Sequence, residues 1–405
     1  MLKRYFLINK KRNFSIVSIW IKGGSDMDSI GKKGINKILC SLLTRGCEGF
    51  NNFNLSEYIE SFGAELNQEI FEDGISVSIK SLNEHFSKLF PLLDLIINKP
   101  ILSETEFKKV KKSSIDHIKK DKENPFNICF EKWRKIVYSN HPYAFNTIGN
   151  ANDVSMITYE DVLIEFKNLK NREKYLISNN PEINGENFGT LEKKIYKEKS
   201  DLLNHNLNTK NRFDYVNNDS NQTIIMIGDQ TCSRRSNEYF PLKVLESYLS
   251  YGMSAALFKL FREKHGITYD LGVYYPTRIG NAPFLIYLSV SNEQALFAFE
   301  LLSKLLKNLL FNPLTDAEIF LAKEKLKGSF LLGNQSLDEI LQRKIQLISY
   351  GISPISENDL NSKIEEISSL DIFRVTNKYL SRPFLSISGN KNICLEISNR
   401  WKKDF

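Results

Sequence analysis

Apolar residues in the stretch GINKILCSLLTRG (34–46) fall at Ile35, Ile38, Leu39, Leu42 and Leu43. That i, i+3, i+4, i+7, i+8 spacing gives a helix one buried stripe. Gly34 is predicted to open the helix and Gly46 to close it in the left-handed conformation, with Arg45 favourable at the negative end. Lys37, Cys40 and Ser41 fall off the stripe and are predicted on the opposite face. FSIVSIWIKGGS (14–25) and QTIIMIGDQ (222–230) read instead as strands, each feeding a loop and then a helix. Lys10, Lys11, Arg12 and Asn13 split the apolar run at the start of the chain. That start is therefore expected to form two strands around a turn, not a signal peptide.

The same pattern occurs twice. Residues 77–114 and 286–329 each offer a strand, a short Asn/Glu turn and a long amphipathic helix, then Pro100 or Pro313. A helix N-cap follows, Ser103 in SETE and Thr315 or Asp316 in TDAE, and then a second Lys-rich helix. A duplicated α/β unit is the simplest account. The expected domains are 1–185 and 221–405, joined by a linker at 186–220 that is rich in Asn, Lys and Glu and lacks periodicity. Long helices and short alternating strands favour an α+β fold over a doubly wound parallel sheet.

Composition narrows the class without naming a function. The 405 residues are 41% hydrophobic, enough for large cores, and the net charge of +7 spreads over 55 basic and 48 acidic residues. No basic tract is interleaved with aromatics, which argues against nucleic-acid binding. The densest basic run, 108–120, reads as a solvated helix face. Cys40, Cys47, Cys129, Cys232 and Cys394 are odd in number and show no CxxC spacing. That usage suits a reducing compartment and gives no cysteine-based zinc site. No stretch reaches the roughly 18 apolar residues of a membrane span, so a soluble, cytoplasmic protein is expected.

Four segments in order then point to a family. WIKGGSDMDSIGKKGINKILCSLLTRG (20–46), SEYIESFGAELNQEIFEDGISVSI (56–79), HPYAFNTIGNANDVSMITYEDV (141–162) and GMSAALFKLFREKHGITYDLGVYY (252–275) together resemble the pitrilysin/insulinase zinc metallopeptidases. The likeness is greatest to their mitochondrial-processing-peptidase-like branch and spans nearly the whole chain. It implies two duplicated domains, each a mostly antiparallel sheet packed with helices, of the LuxS/metallohydrolase-like type.

The resemblance also implies where chemistry would sit. Family members carry His-x-x-Glu-His on the first helix, two zinc ligands one turn apart with the Glu activating water. Here those places hold Lys37, Cys40 and Ser41, and the distal Glu ligand falls at His117. An ammonium repels a dication and a serine hydroxyl ligates zinc poorly, so no metal is expected on this chain. Cys40 with His117 would supply too few ligands for a catalytic zinc. By contrast Arg262 and Tyr269 stand at the spacing of the family's substrate-binding pair, whose implied role is to hold the substrate carbonyl as charge develops on it. Only Gly252 remains of the family's glycine-rich stretch before that helix.

The expected function is a non-catalytic subunit of a heterodimeric zinc metallopeptidase. A homologous partner would supply the zinc motif, and peptides or unfolded polypeptides would be the substrates. The alternatives are a structural scaffold like the respiratory-complex core proteins, or a peptide-binding homodimer without proteolysis.

Overall fold

A computed structural model of the chain describes residues 2–6, 13–180, 212–333, 336–352 and 360–405. The first stretch runs β1 (Leu2–Phe6), β2 (Phe14–Lys22), α1 (Ile35–Leu43), β3 (Gly46–Cys47), β4 (Phe50–Asn51), α2 (Asn52–Glu60), β5 (Glu65–Ile70) and β6 (Gly74–Leu82). It continues with α3 (Phe86–Asn98), α4 (Glu104–Asp121), α5 (Pro125–Tyr138), α6 (Ala151–Met156), α7 (Tyr159–Lys170) and β7 (Lys174–Ser178). Next come β8 (Phe213–Asn217), β9 (Gln222–Gln230), α8 (Tyr239–Ser250), β10 (Thr268–Tyr274), β11 (Pro283–Ser291), α9 (Ala295–Phe311) and α10 (Asp316–Leu332). The chain closes with α11 (Leu337–Ser349), α12 (Leu360–Glu365), α13 (Ser369–Leu380), β12 (Phe384–Gly389) and α14 (Lys391–Asp404).

The repeat is visible in the topology. One five-stranded sheet has the order β1-β7-β2-β6-β5 and the other β8-β12-β9-β11-β10. In each, the outermost pair, β1 with β7 or β8 with β12, is parallel and the other pairings are antiparallel. This is an α+β fold. The two strands expected at the start, β1 and β2, both form, but β7 lies between them. The cap at Ser103 forms, its Oγ accepting the Glu106 N–H at 3.2 Å. In the second copy the cap is Thr315, whose Oγ1 accepts the Glu318 N–H at 3.4 Å.

The chain divides into two compact units, Met1–Lys120 with Phe145–Lys199 and Gly333–Pro354, and Asp121–Ala144 with Ser200–Leu332 and Ile355–Phe405. The halves expected at 1–185 and 221–405 follow chain order. The compact units do not, because each half gives one helix to the other half's sheet. The expected linker at 186–220 lies outside the described residues as far as residue 211, and residues 213–217 within it pair as β8.

The strand pattern explains why each sheet needs that helix. Along β2, Val17, Ile19 and Ile21 enter a core shared with α1 and α3. Ile16 and Trp20, pointing the other way, pack with Leu337, Leu341, Ile345 and Ile348. Those four residues belong to α11, drawn from the second half. Polar contacts fix its seat: Ser76 Oγ donates to Gln342 Oε1 at 2.9 Å, and the Tyr350 hydroxyl donates to Asp73 Oδ2 at 2.7 Å. In the other unit Ile225 and Ile227 of β9 enter the main core, and α5, from the first half, packs on β9 and β12. Ser386 Oγ on β12 donates to the Cys129 carbonyl of α5 at 3.0 Å, and the Tyr138 hydroxyl donates to the Asn281 carbonyl at 2.9 Å.

If α11 belongs to the first unit's core, Ile345→Ala should cost about 2–4 kcal/mol, the range for truncating a buried aliphatic side chain. Urea denaturation followed by Trp20 fluorescence would measure this. A loss below about 0.5 kcal/mol, as for a surface change, would show that α11 is peripheral.

Candidate functional site

The segment before α1 holds that helix rigidly at its N-terminus. Gly34 takes φ +100°, and a Cβ there would come within 2.6 Å of the Ile148 carbonyl, so both backbone angle and space require glycine. Asp28 accepts the Gly34 N–H at 2.7 Å, the Asn36 N–H at 3.1 Å and the Asn36 side-chain amide at 2.8 Å. Lys33 Nζ donates to the Asp28 carbonyl at 2.6 Å, and Arg172 donates to the Gly23 carbonyl and Asn36 Oδ1, each at 3.0 Å. Burial nonetheless pushes the Asp28 carboxyl up to about 6. Asp26 is pushed up to about 7 by burial and then by the neighbouring Asp73. At the far end the helix stops at Leu43 with Thr44 as its C-cap. Gly46 does have a left-handed φ of 118°, but as the first residue of β3, so it is not the cap.

The three motif positions do not share one outward face. Lys37 and Ser41 are half-buried, whereas Cys40 is fully buried in the apolar core. This corrects the expectation that Cys40 lies on the polar face: its side chain is small enough to fill the contact between α1 and the sheet. Burial pushes its thiol up to about 12, opposed by the charge of Lys37. A thiol so disposed stays protonated at neutral pH and is neither nucleophile nor ligand. Glu69 of the edge strand β5 stands within electrostatic reach of both Lys37 and Cys40. Burial raises its carboxyl, and Lys37 pulls it back. His117 lies on the exposed face of α4.

This donor set does not fit zinc. It offers an ammonium, a hydroxyl, a protonated thiol and one carboxylate already facing a lysine. Among the described residues no three His, Cys, Asp or Glu side chains gather as a metal site.

Sequence reasoning missed Glu69 and a second signal as well. Lys37, Ser41 and Gly46 recur at the same spacing as Lys243, Ser247 and Gly252, on and just after α8, which follows β9 as α1 follows β2. In that copy Lys243 Nζ donates to Glu246 Oε2 and to the Tyr275 carbonyl, both at 2.7 Å. Lys243 thus ties α8 to the end of β10, whereas Lys37 acts on Glu69 of β5 through its charge.

The second half carries the other candidates. Arg262 lies in a π-helical turn, Phe258–Lys264, a geometry frequent at functional positions. Its guanidinium is exposed and sits 5.3 Å from the centre of the Phe258 ring. No carboxylate among the described residues pairs with it. Gly266 takes the expected left-handed φ, 60°. Tyr269 falls on β10 at a register shift between Thr268 and Asp270, and its side chain lies outside the described residues.

Comparison with known proteins agrees with this fold. Residues 4–151 match the family described as Insulinase (Peptidase family M16), and residues 182–326 match Peptidase M16 inactive domain. A Rickettsia felis protein named an uncharacterized zinc protease is 23% identical over 378 residues, covering 90% of this chain and 89% of its own. A Pseudomonas fluorescens M16 inactive-domain structure superposes with a TM-score of 0.82 at 18% identity, covering 96% of this chain and 95% of its own. A Helicobacter pylori protease structure gives 0.83 at 17% identity, with 96% of each chain covered.

Two predictions follow from the α1 region. Folded Asp26 keeps a proton that the unfolded chain releases near its ordinary 3.8. Its contribution to stability is therefore greatest at low pH and falls between about pH 4 and 7. Asp26→Asn should flatten that part of the urea-midpoint profile and stabilise the protein at pH 8; an unchanged slope would remove Asp26 as its source. Separately, the chain as it stands should take up no stoichiometric zinc. The combination Lys37→His, Cys40→Glu, Ser41→His and His117→Glu should restore about one zinc per chain by elemental analysis, because the ligand spacing is a property of the backbone. Failure of the folded variant to bind zinc would show that the backbone site has been lost too.

Proposed function

Because this chain belongs to the insulinase (M16) peptidase family, we propose that it is the non-catalytic subunit of a two-chain zinc peptidase acting on peptides or unfolded polypeptides. A homologous partner carries His-x-x-Glu-His and the metal. This chain contributes Arg262 and Tyr269, which bind the substrate backbone and stabilise the oxyanion that forms as the peptide bond is attacked.

The observation that carries this reading is the contrast between the two repeats. In the first, Lys37, Cys40, Ser41 and His117 do not make a zinc ligand set, and no such cluster gathers among the described residues. In the second, Arg262 is exposed in a π-helical turn with no carboxylate among the described residues neutralising it. A guanidinium without an acidic partner can donate to a substrate carbonyl.

The test is a peptidase assay of this chain alone, of a homologue with an intact motif alone, and of the two mixed. Hydrolysis is expected only in the mixture. In that mixture Arg262→Ala or Tyr269→Phe should lower turnover by roughly 10²–10³, the scale for losing one oxyanion donor. Zinc-dependent hydrolysis by this chain alone would overturn the proposal, and unchanged rates in both variants would reduce the pair to structure.

A further inference from the structure

Arg262 and Tyr269 are carried on one segment, 251–275, that runs from the end of α8 to the end of β10. Two parts of it are loosely specified. Its middle is held by apolar contacts, with Ala255, Leu257 and Phe261 fully buried. Such contacts are non-directional and resist removal from the core more than sliding within it. Its last part, β10, is an edge strand paired with β11, and its register shifts between Thr268 and Asp270, where Tyr269 lies. A strand with one neighbour and an irregular register can slip unless something pins it.

The pin is on α8. Lys243 Nζ donates to Glu246 Oε2 and to the Tyr275 carbonyl, both at 2.7 Å, and lies 4.9 Å from the centre of the Tyr275 ring. That ring is buried, with its hydroxyl 3.7 Å from Cys232 Sγ. At the start of the segment, burial pushes the Tyr251 hydroxyl up to about 12 and the neighbouring Glu246 carboxylate adds to the rise. Glu246 therefore stands beside the first residue after α8. One ion pair meets both ends of the stretch that bears Arg262 and Tyr269.

Stability gives little reason for a lysine and a glutamate here. A buried ion pair contributes little beyond apolar side chains of the same volume. Nor does the duplicated fold demand the tie: Lys37, the equivalent lysine of the first repeat, makes no hydrogen bond among the described residues. We propose that Lys243 and Glu246 are positioning residues for Arg262 and Tyr269, fixing the exit from α8 and the end of β10 between which that pair is carried. The inference rests on the peptidase reading above.

The test uses this chain mixed with a homologue that carries the intact zinc motif. Lys243→Met with Glu246→Leu removes both charges and leaves no buried ion unpaired. This paired variant is expected to stay folded by circular dichroism and to lower turnover about tenfold to a hundredfold, the scale of a displacement near 1 Å. Added to Arg262→Ala and Tyr269→Phe, the same change should cost less than about twofold, because residues that act through one another are not additive. In this chain by itself, amide exchange should quicken across 251–275 while β9 stays protected. Wild-type turnover in the folded paired variant would overturn the proposal, and so would a loss that multiplies with that of Arg262→Ala and Tyr269→Phe. If those two substitutions have no effect of their own, the peptidase reading fails and the positioning role falls with it. Should the paired variant not fold, Lys243→Gln, one bond shorter and still an N–H donor to Glu246, takes its place with the same expected outcomes.

Discussion

The architecture rests on central strands that are apolar on both faces. A β2 with Val17, Ile19 and Ile21 on one side and Ile16 and Trp20 on the other cannot leave either side in water. One helical layer is therefore insufficient, and the second covering has to come from elsewhere in the chain. In both repeats it is a single helix from the opposite half, α11 under β2 and α5 under β9. The exchange explains why compactness and sequence order part company, and why Tyr350 finds its partner in Asp73 across most of the chain.

The same constraint accounts for what survives at α1. Ile35, Ile38, Leu39, Leu42 and Leu43 bind the helix to the sheet, while Asp28, Lys33 and Arg172 hold its N-terminus. None of these residues needs a metal. Lys37, Cys40 and Ser41 take no part in that clamp: Cys40 is core, and Lys37 stands within electrostatic reach of Glu69. In the second repeat Lys243 is held by Glu246 and the Tyr275 carbonyl. The fold of α1 needs no metal, because the helix is held by its apolar stripe and its N-terminal clamp.

Much of this was legible in the sequence. The i, i+3, i+4 spacing located α1, the alternation in 14–22 and 222–230 located the two central strands, and the paired Pro100 and Pro313 exposed the duplication. Three features were not. Periodicity reports that β2 is buried on both faces but not which segment covers it, so the helix exchange was invisible. The helical wheel placed Cys40 off the stripe, yet a small side chain beside a wide contact is buried anyway. Gly46 followed the helix by enough residues to serve as its cap, but the β3–β4 pairing claimed it first. Glu69 could have been found: it is an acidic residue on an edge strand beside a helix that presents a lysine.

The exchanged helices also bear on how the chain is made. Residues 2–178 hold the strands of the first sheet, but the helix that covers the second face of β2 begins at Leu337. During synthesis that apolar surface, Trp20 included, must wait while some 150 further residues emerge, on the order of ten to thirty seconds at ordinary elongation rates. The first unit cannot mature co-translationally by itself. It is completed only after α11 has been made, which makes the nascent chain a natural client for chaperones that shield exposed sheets. It also means that a truncation before α11 would damage the part of the protein made first.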